Sequence, residues 1–290
     1  MSSETIQAPR FRSQRERMWT TFRRNRAAVA GLVLVILVTL TSVGAPLISP
    51  KDPVAQNPRV RLAEPGPEAI LGLDSAGRDI LSRLIWAGHI SLLVGVCSVL
   101  LGGVLGTAMG LIAGYAGGKV ENVIMRLVDV LMAFPSLLLG ITVLAVLGSG
   151  IDKMILAIGV MLSPAFARVV HGNTLSLRER EFVEAARSIG VGRLRILRLH
   201  ILPNLLGDIV VLASLWTASA IRIEANLSFI GLGVSPPTPT WGNMIKEGSV
   251  HLLNAPWLSV FPGLAILVTV FAFNLLGDGL RDVFDPRLQL

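Results

Sequence analysis

The chain is a succession of apolar runs, most of them close to the roughly 20 residues that cross a bilayer, separated by short polar stretches. No other feature restricts the fold as strongly. A run of that length spans hydrocarbon as an α-helix, because each backbone N–H and C=O must then find its partner inside the segment. Composition agrees: 52% of the 290 residues are hydrophobic, only 16% are charged, and the mean hydropathy is +0.66. These values lie outside soluble globular usage. The expected fold class is an all-α integral membrane protein with about six transmembrane helices, not a barrel.

The runs predict spans over residues 27–48, 90–114, 127–147, 154–170, 205–221 and 257–276. Before the first lies a basic arm, residues 1–26, with seven arginines: Arg10, Arg12, Arg15, Arg17, Arg23, Arg24 and Arg26. Residues 49–89 read as an extracytoplasmic loop. Its stretch from Lys51 to Arg83 balances five basic against five acidic residues, so the arginine excess before the first span sets the orientation inside to outside. Residues 90–277 form a five-helix core and 278–290 a short tail, which places both termini in the cytoplasm. The net charge of +7 is explained by this topology signal and by anionic headgroups; the arginines flank apolar runs with little aromatic interleaving, so nucleic acid is not the expected partner. A single cysteine, Cys97, permits no intrachain disulfide.

Within the second span Ser98, Gly102, Gly106, Gly110 and Gly114 recur every four residues and lay a strip of minimal side chains along one helix face. Glycine weakens a helix by about 1 kcal/mol relative to alanine, so the strip implies close approach of a neighbouring helix. Residues 115–126 read as a turn. Gly117-Gly118-Lys119-Val120 within it fails as a phosphate loop, since Ala113 and Val120 stand where glycine and a hydroxyl residue are required. No cofactor is expected on this chain, and energy from ATP, where it is used, comes from a partner. Asp129 and Pro135 fall in the third predicted span, Pro164 and Arg168 in the fourth. Both prolines suit kinked helices, whether these line a hydrated path or only pack. Arg222 and Glu224, at the outer end of the fifth span, read as a gate or a structural pair; two residues apart, they do not face each other. Residues 229–243 are dense in glycine and proline and are expected to be extended or re-entrant at the outer surface.

One insert breaks the apolar rhythm. Residues 178–204 carry six arginines against three glutamates and fall in the cytoplasm between the fourth and fifth spans. They read as two helical pieces, residues 179–189 ending at Gly190 and residues 193–202 stopped by Pro203. In the second, Leu194, Leu197 and Ile201 share one face while Arg195 and Arg198 share another, a form suited to docking in a partner's groove.

Glu184-Ala185-Ala186, three residues, Gly190, nine further residues and a segment closing in Leu202-Pro203 resemble the EAA loop of ABC importer permeases. His200 stands where the general pattern has isoleucine, which is usual in the dipeptide/oligopeptide/nickel branch. That branch is matched again by Leu71-Gly72-Leu73-Asp74 with Gly77-Arg78-Asp79, by Glu224-Ala225-Asn226-Leu227-Ser228-Phe229 with Gly231-Leu232-Gly233, and by Asn274-Leu275-Leu276-Gly277-Asp278-Gly279-Leu280-Arg281-Asp282. The resemblance implies a type I ABC importer permease fold in the bacterial plasma (inner) membrane. It further implies a homologous second permease, two ABC ATPase subunits and an extracytoplasmic substrate-binding protein. The cargo it implies is a di- or oligopeptide, with a nickel chelate or a glutathione-like molecule as the alternative for the same machinery. On that resemblance Glu184, Ala185, Ala186, Gly190, Arg193, Arg195, Arg198, Leu202 and Pro203 dock the ATPase. A stand-alone channel or secondary transporter has no use for such a loop. A membrane enzyme is disfavoured because His89, His171, His200 and His251 are scattered without metal-ligand spacing.

Overall fold

Each apolar run folds as a helix that satisfies its own backbone, and the computed structural model describes these helices over residues 14–284. Arg10 and Arg12 of the basic arm lie outside the described residues. In chain order the helices are α1 (Gln14–Arg24), α2 (Arg26–Val43), α3 (Ala45–Ile48), α4 (Ile80–Ala116), α5 (Gly118–Ala133), α6 (Ser136–Leu147), α7 (Ile151–Arg178), α8 (Glu181–Ser188), α9 (Arg193–Ile196), α10 (Leu202–Ile230), α11 (Trp241–Ser249) and α12 (Trp257–Phe284). No strand longer than an isolated bridge forms among the described residues. Five helical stretches are long and apolar enough to cross a membrane, six if the bent pair α5–α6 counts as one span.

The spans run past the ends that hydropathy assigns. Helix α4 begins at Ile80, ten residues before the predicted start, because Asp79 caps it by accepting from Ser82 N at 2.9 Å; the last ten residues of the predicted loop 49–89 are therefore helical. The turn expected over residues 115–126 shrinks to Gly117, at φ +69°, after which α5 starts at once. Pro135 does not kink a continuous third span. It stands at the head of α6, and the chain bends by 95° between α5 and α6. Pro164, in contrast, is buried inside the uninterrupted α7. Helix α12 continues through the predicted tail boundary at residue 277 to Phe284.

Packing centres on α4 against α7. A Cβ on Gly102 would meet Gly159 O at 2.7 Å, one on Gly110 would meet Ala167 O at 2.6 Å, and one on Gly114 would meet Thr174 Cβ at 2.7 Å; at Gly106 the crowding atoms are Ser163 O and Phe166 Cβ. The four-residue strip thus lets one helix backbone lie directly on the next. Around this seam Val94, Val99, Leu144, Met154, Ile158, Leu162, Phe166 and Leu227 form the central core. Helices α10 and α12 close one flank, and α2 lies on α12, with Gly31 against Leu276 N. The amphipathic arm is tied to the other end of the chain: Phe22 packs with Ala28 and Val283, and Asn25 both caps α2 and donates to Asp282 at 2.8 Å.

Candidate functional site

The inner insert is built on a short amphipathic helix. Helix α8 buries Val183 and Ala186 against Val170 of α7 and against Ile196, Ile201 and Leu205, which leaves Glu184, Ala185 and Arg187 outward. It ends in a Schellman motif: Gly190 N donates to Arg187 O at 2.9 Å and Val191 N to Ala186 O at 3.0 Å, with Gly190 left-handed at φ +80°. A Cβ there would meet nothing within 4 Å, so the glycine serves the backbone turn and an open surface. Arg187 lies over the Tyr115 ring at 5.1 Å, and Arg178 donates to Gly114 O at 2.8 Å; both hold the insert to the end of α4.

The second piece of the insert departs from the expected geometry. Pro203 does not stop a separate helix. After α9 the chain passes through a π-helical segment, Leu197–Ile201, and runs directly into α10 with Pro203 in its first turn. The wider turn tolerates the missing N–H and advances the buried face by one residue. As a result Ile196, Ile201 and Leu205 are buried, with Leu197 partly so, while Leu194 of the predicted apolar face is 67% exposed. Ile189 is 81% exposed, and Arg193, Arg195 and Arg198 are exposed as well. Apolar side chains standing in water between guanidinium groups form a surface suited to a partner's groove. Leu202 is partly buried and Pro203 exposed.

Arg222 and Glu224 diverge. Glu224 is wholly buried, accepting from Ser91 Oγ at 2.8 Å and Ser228 Oγ at 2.7 Å, which joins α10 to α4. Arg222 is exposed on the opposite side, and its hydrogen bond is to Ser219 Oγ at 3.1 Å. They do not pair with each other.

A second outer cluster carries no role in the sequence reading, although Asp74 and Arg78 lie in a motif singled out there. Asp74 accepts from Ala76 N and Arg78 N, shaping the turn, and from Arg78 Nε at 2.6 Å. Arg83 Nε lies 3.4 Å from the same carboxylate, and Arg78 and Arg83 both reach Glu247, at 2.7 and 3.1 Å. Glu247 belongs to α11, a helix that sequence reasoning missed. Its start was visible, since Thr240 caps it by accepting from Asn243 N, but the preceding prolines read as loop. The cluster clamps α11 to the outer loop and to α4. On the inner half, Arg168 pairs with Asp129 at 2.7 Å and His171 contacts Glu121 at 2.8 Å, joining α7 to α5. Among the described residues no group of His, Cys, Asp or Glu is placed to hold a metal.

This arrangement has counterparts. The model of the binding-protein-dependent transport system inner membrane component family matches residues 106–290, and that of the N-terminal transmembrane domain of oligopeptide transport permease C matches residues 13–65. The glutathione transport system permease protein GsiD of Pectobacterium atrosepticum is 45% identical over 273 residues, 93% of this chain and 90% of the relative. Its namesake in Escherichia coli O6:K15:H31 is 45% identical over 285 residues, 98% and 94% of the two chains. A chain of the MetNI methionine ABC transporter, in inward-facing conformations, superimposes with a TM-score of 0.58 at 19% identity, covering 69% of this chain and 96% of its own, which places the fold among type I ABC importer permeases. The chain belongs to the binding-protein-dependent transport system inner membrane component family and is a multi-pass permease subunit of an ABC importer.

Proposed function

We propose that the chain forms half of the translocation pore of an ATP-driven importer of glutathione. The observation that carries this reading is the 45% identity, over 98% of the chain, to a glutathione transport permease. A homologous second permease completes the pore, and an extracytoplasmic binding protein delivers the cargo. Two ATPase subunits bind the ATP and Mg and dock on the surface made by Glu184, Ala185, Gly190, Arg193, Arg195, Arg198 and Pro203, with the partly buried Leu202 at its edge; Ala186, expected on that surface, is instead turned inward and supports α8 from beneath. Exposed Ile189 and Leu194 enter the same groove, with the arginines on its rim. Because the free edge of α8 shares its buried side with α7 and the foot of α10, a push on the loop is delivered to two spanning helices at once. ATP-driven closure biases the pore only insofar as the docked contacts differ between its two states. Both termini lie in the cytoplasm. Di- and oligopeptides are the second reading, favoured by the match of residues 13–65 to an oligopeptide permease domain.

The test is uptake of radiolabelled glutathione by proteoliposomes holding the complete importer, with binding protein outside and ATP inside. ATP-dependent accumulation that excess unlabelled glutathione blocks and alanyl-phenylalanine does not is the expected result. Accumulation of alanyl-phenylalanine without glutathione would overturn the cargo assignment and favour the peptide reading.

A further inference from the structure

Two hollows meet at Phe229, near the C-terminal end of α10. The larger, about 600 Å³, is bordered by Ser149, Phe229, Val234, Asn243 and Lys246; the smaller, about 220 Å³, by Arg222, Asn226, Phe229, Ile245 and Ile266. Phe229 is common to both and is 45% exposed. Each hollow holds a cation, Lys246 in the larger and Arg222 in the smaller, and neither lies within ion-pair distance of a carboxylate among the described residues. The carboxylates nearest in the chain are already engaged. Glu224 is buried on the far side of α10 under Ser91 and Ser228, and Glu247 accepts from Arg78 and Arg83. Glu247 itself borders the larger hollow, but Arg78 and Arg83 offset its charge, so Lys246 and Arg222 are left as the cations of this face without a carboxylate partner among the described residues.

An arginine at membrane depth costs about 3 kcal/mol or more unless it reaches water, headgroups or a polar partner, so the exposed Arg222 requires a polar environment on this face. Ser219, Arg222 and Asn226 stand at i, i+3 and i+7 along α10, a polar stripe separate from the buried Glu224 and Ser228 of the same helix. Guanidinium and amide donors side by side match a carboxylate, which accepts from both. We infer that Lys246 and Arg222 form a two-step route for the carboxylates of an anionic cargo, Lys246 receiving it at the mouth and Arg222 holding it past Phe229. The inference rests on the glutathione reading for the identity of the cargo, a molecule with two carboxylates and one ammonium group.

The test uses the complete importer in proteoliposomes at saturating loaded binding protein, so that capture does not limit the rate. Saturated glutathione uptake and binding-protein-stimulated ATP hydrolysis are measured together for wild type, R222Q, R222K, K246Q and the double variant R222Q/K246Q. Loss of one charge-assisted contact lowers uptake by about tenfold for R222Q, with a larger drop in the double variant, while ATP hydrolysis stays within about twofold; R222K recovers most of the rate. Unchanged uptake in R222Q/K246Q overturns the route. So does an equal fall in uptake and ATP hydrolysis, or loss of the second permease from purified R222Q complex, since either makes Arg222 an assembly contact. If the wild type moves alanyl-glutamate and not glutathione, the cargo assignment fails, and the same variants measured on alanyl-glutamate still decide the route.

Discussion

Replacing Gly110 by alanine tests the seam that holds the pore subunit together. The new Cβ would lie 2.6 Å from Ala167 O, 2.8 Å from Val170 Cβ and 2.9 Å from His171 N, against the 3.4 Å at which ordinary contact begins. Two of these three atoms are backbone, so no rotamer change relieves them and α7 must move away by a large fraction of an ångström. Overpacking of this kind costs about 1–3 kcal/mol. Helix propensity favours the substitution by about 1 kcal/mol in water, and that contribution must be separated out. Gly103 provides the control: it lies on the same helix, two turns away, and its Cβ would meet only the Phe166 ring, at 3.5 Å. The propensity gain is common to both variants and cancels in the comparison. Gly103→Ala should equal or exceed wild type, and Gly110→Ala should fall below Gly103→Ala by about 2 kcal/mol, or about 5 °C for a chain of this size. The assay is the thermal midpoint of the detergent-purified importer, followed by fluorescence-detected size exclusion at one heating rate, because midpoints of irreversible unfolding depend on rate. Equal midpoints for the two alanine variants would refute the backbone-contact reading of the strip.

Substitutions at three further positions probe other parts of the molecule. Gly190→Asp places a side chain in open space but at a left-handed position, φ +80°, where a non-glycine residue costs about 1 kcal/mol, so the importer should assemble with a slightly lowered midpoint yet lose ATP-dependent uptake, and retained uptake would remove the ATPase-docking assignment. Glu247→Gln leaves Arg78 and Arg83 with Asp74 as their shared counter-ion and should destabilise the outer clamp by on the order of 3 kcal/mol, seen as faster protease cleavage within residues 49–79; wild-type cleavage rates would count against it. Glu224→Gln should cost less than about 1 kcal/mol because the Ser91 and Ser228 hydroxyls can donate or accept, whereas Glu224→Leu strands both and should cost about 1–3 kcal/mol; equal melting of the two would show that those bonds contribute nothing.

Hydropathy made the six apolar stretches visible because crossing a bilayer is a local demand, met within each run of about 20 residues. The glycine strip was legible for a similar reason: period four on a helix defines a face without knowledge of the neighbour. Gly190 was legible because a helix that must stop calls for a left-handed residue, and the Schellman pair at Arg187 and Ala186 forms there. Where the local rule has a competitor, the reading slipped. Pro203 signals a stop, but the π-helical turn before it absorbs the missing N–H and carries the chain into α10, turning Leu194 out and Ile196 in.

The partners of the charged groups belong to the tertiary structure alone. Arg222 and Glu224 are two residues apart and read alike in the sequence, yet one faces an open hollow and the other meets Ser91, 133 positions away. Arg78 finds Glu247 across 169 positions, through a helix hidden behind the apparent loop of Pro236, Pro237 and Pro239. Such pairings depend on how helices pack, and packing is set by side-chain volume and backbone approach summed over the whole bundle. The apolar runs by themselves determined that this chain spans a membrane several times and where the polar insert at residues 178–204 interrupts them. Only the packed helices decided which charges are neutralised within the subunit and which are left facing a path, because a charge's neighbour in space is fixed by tertiary contacts and not by its neighbours in the chain.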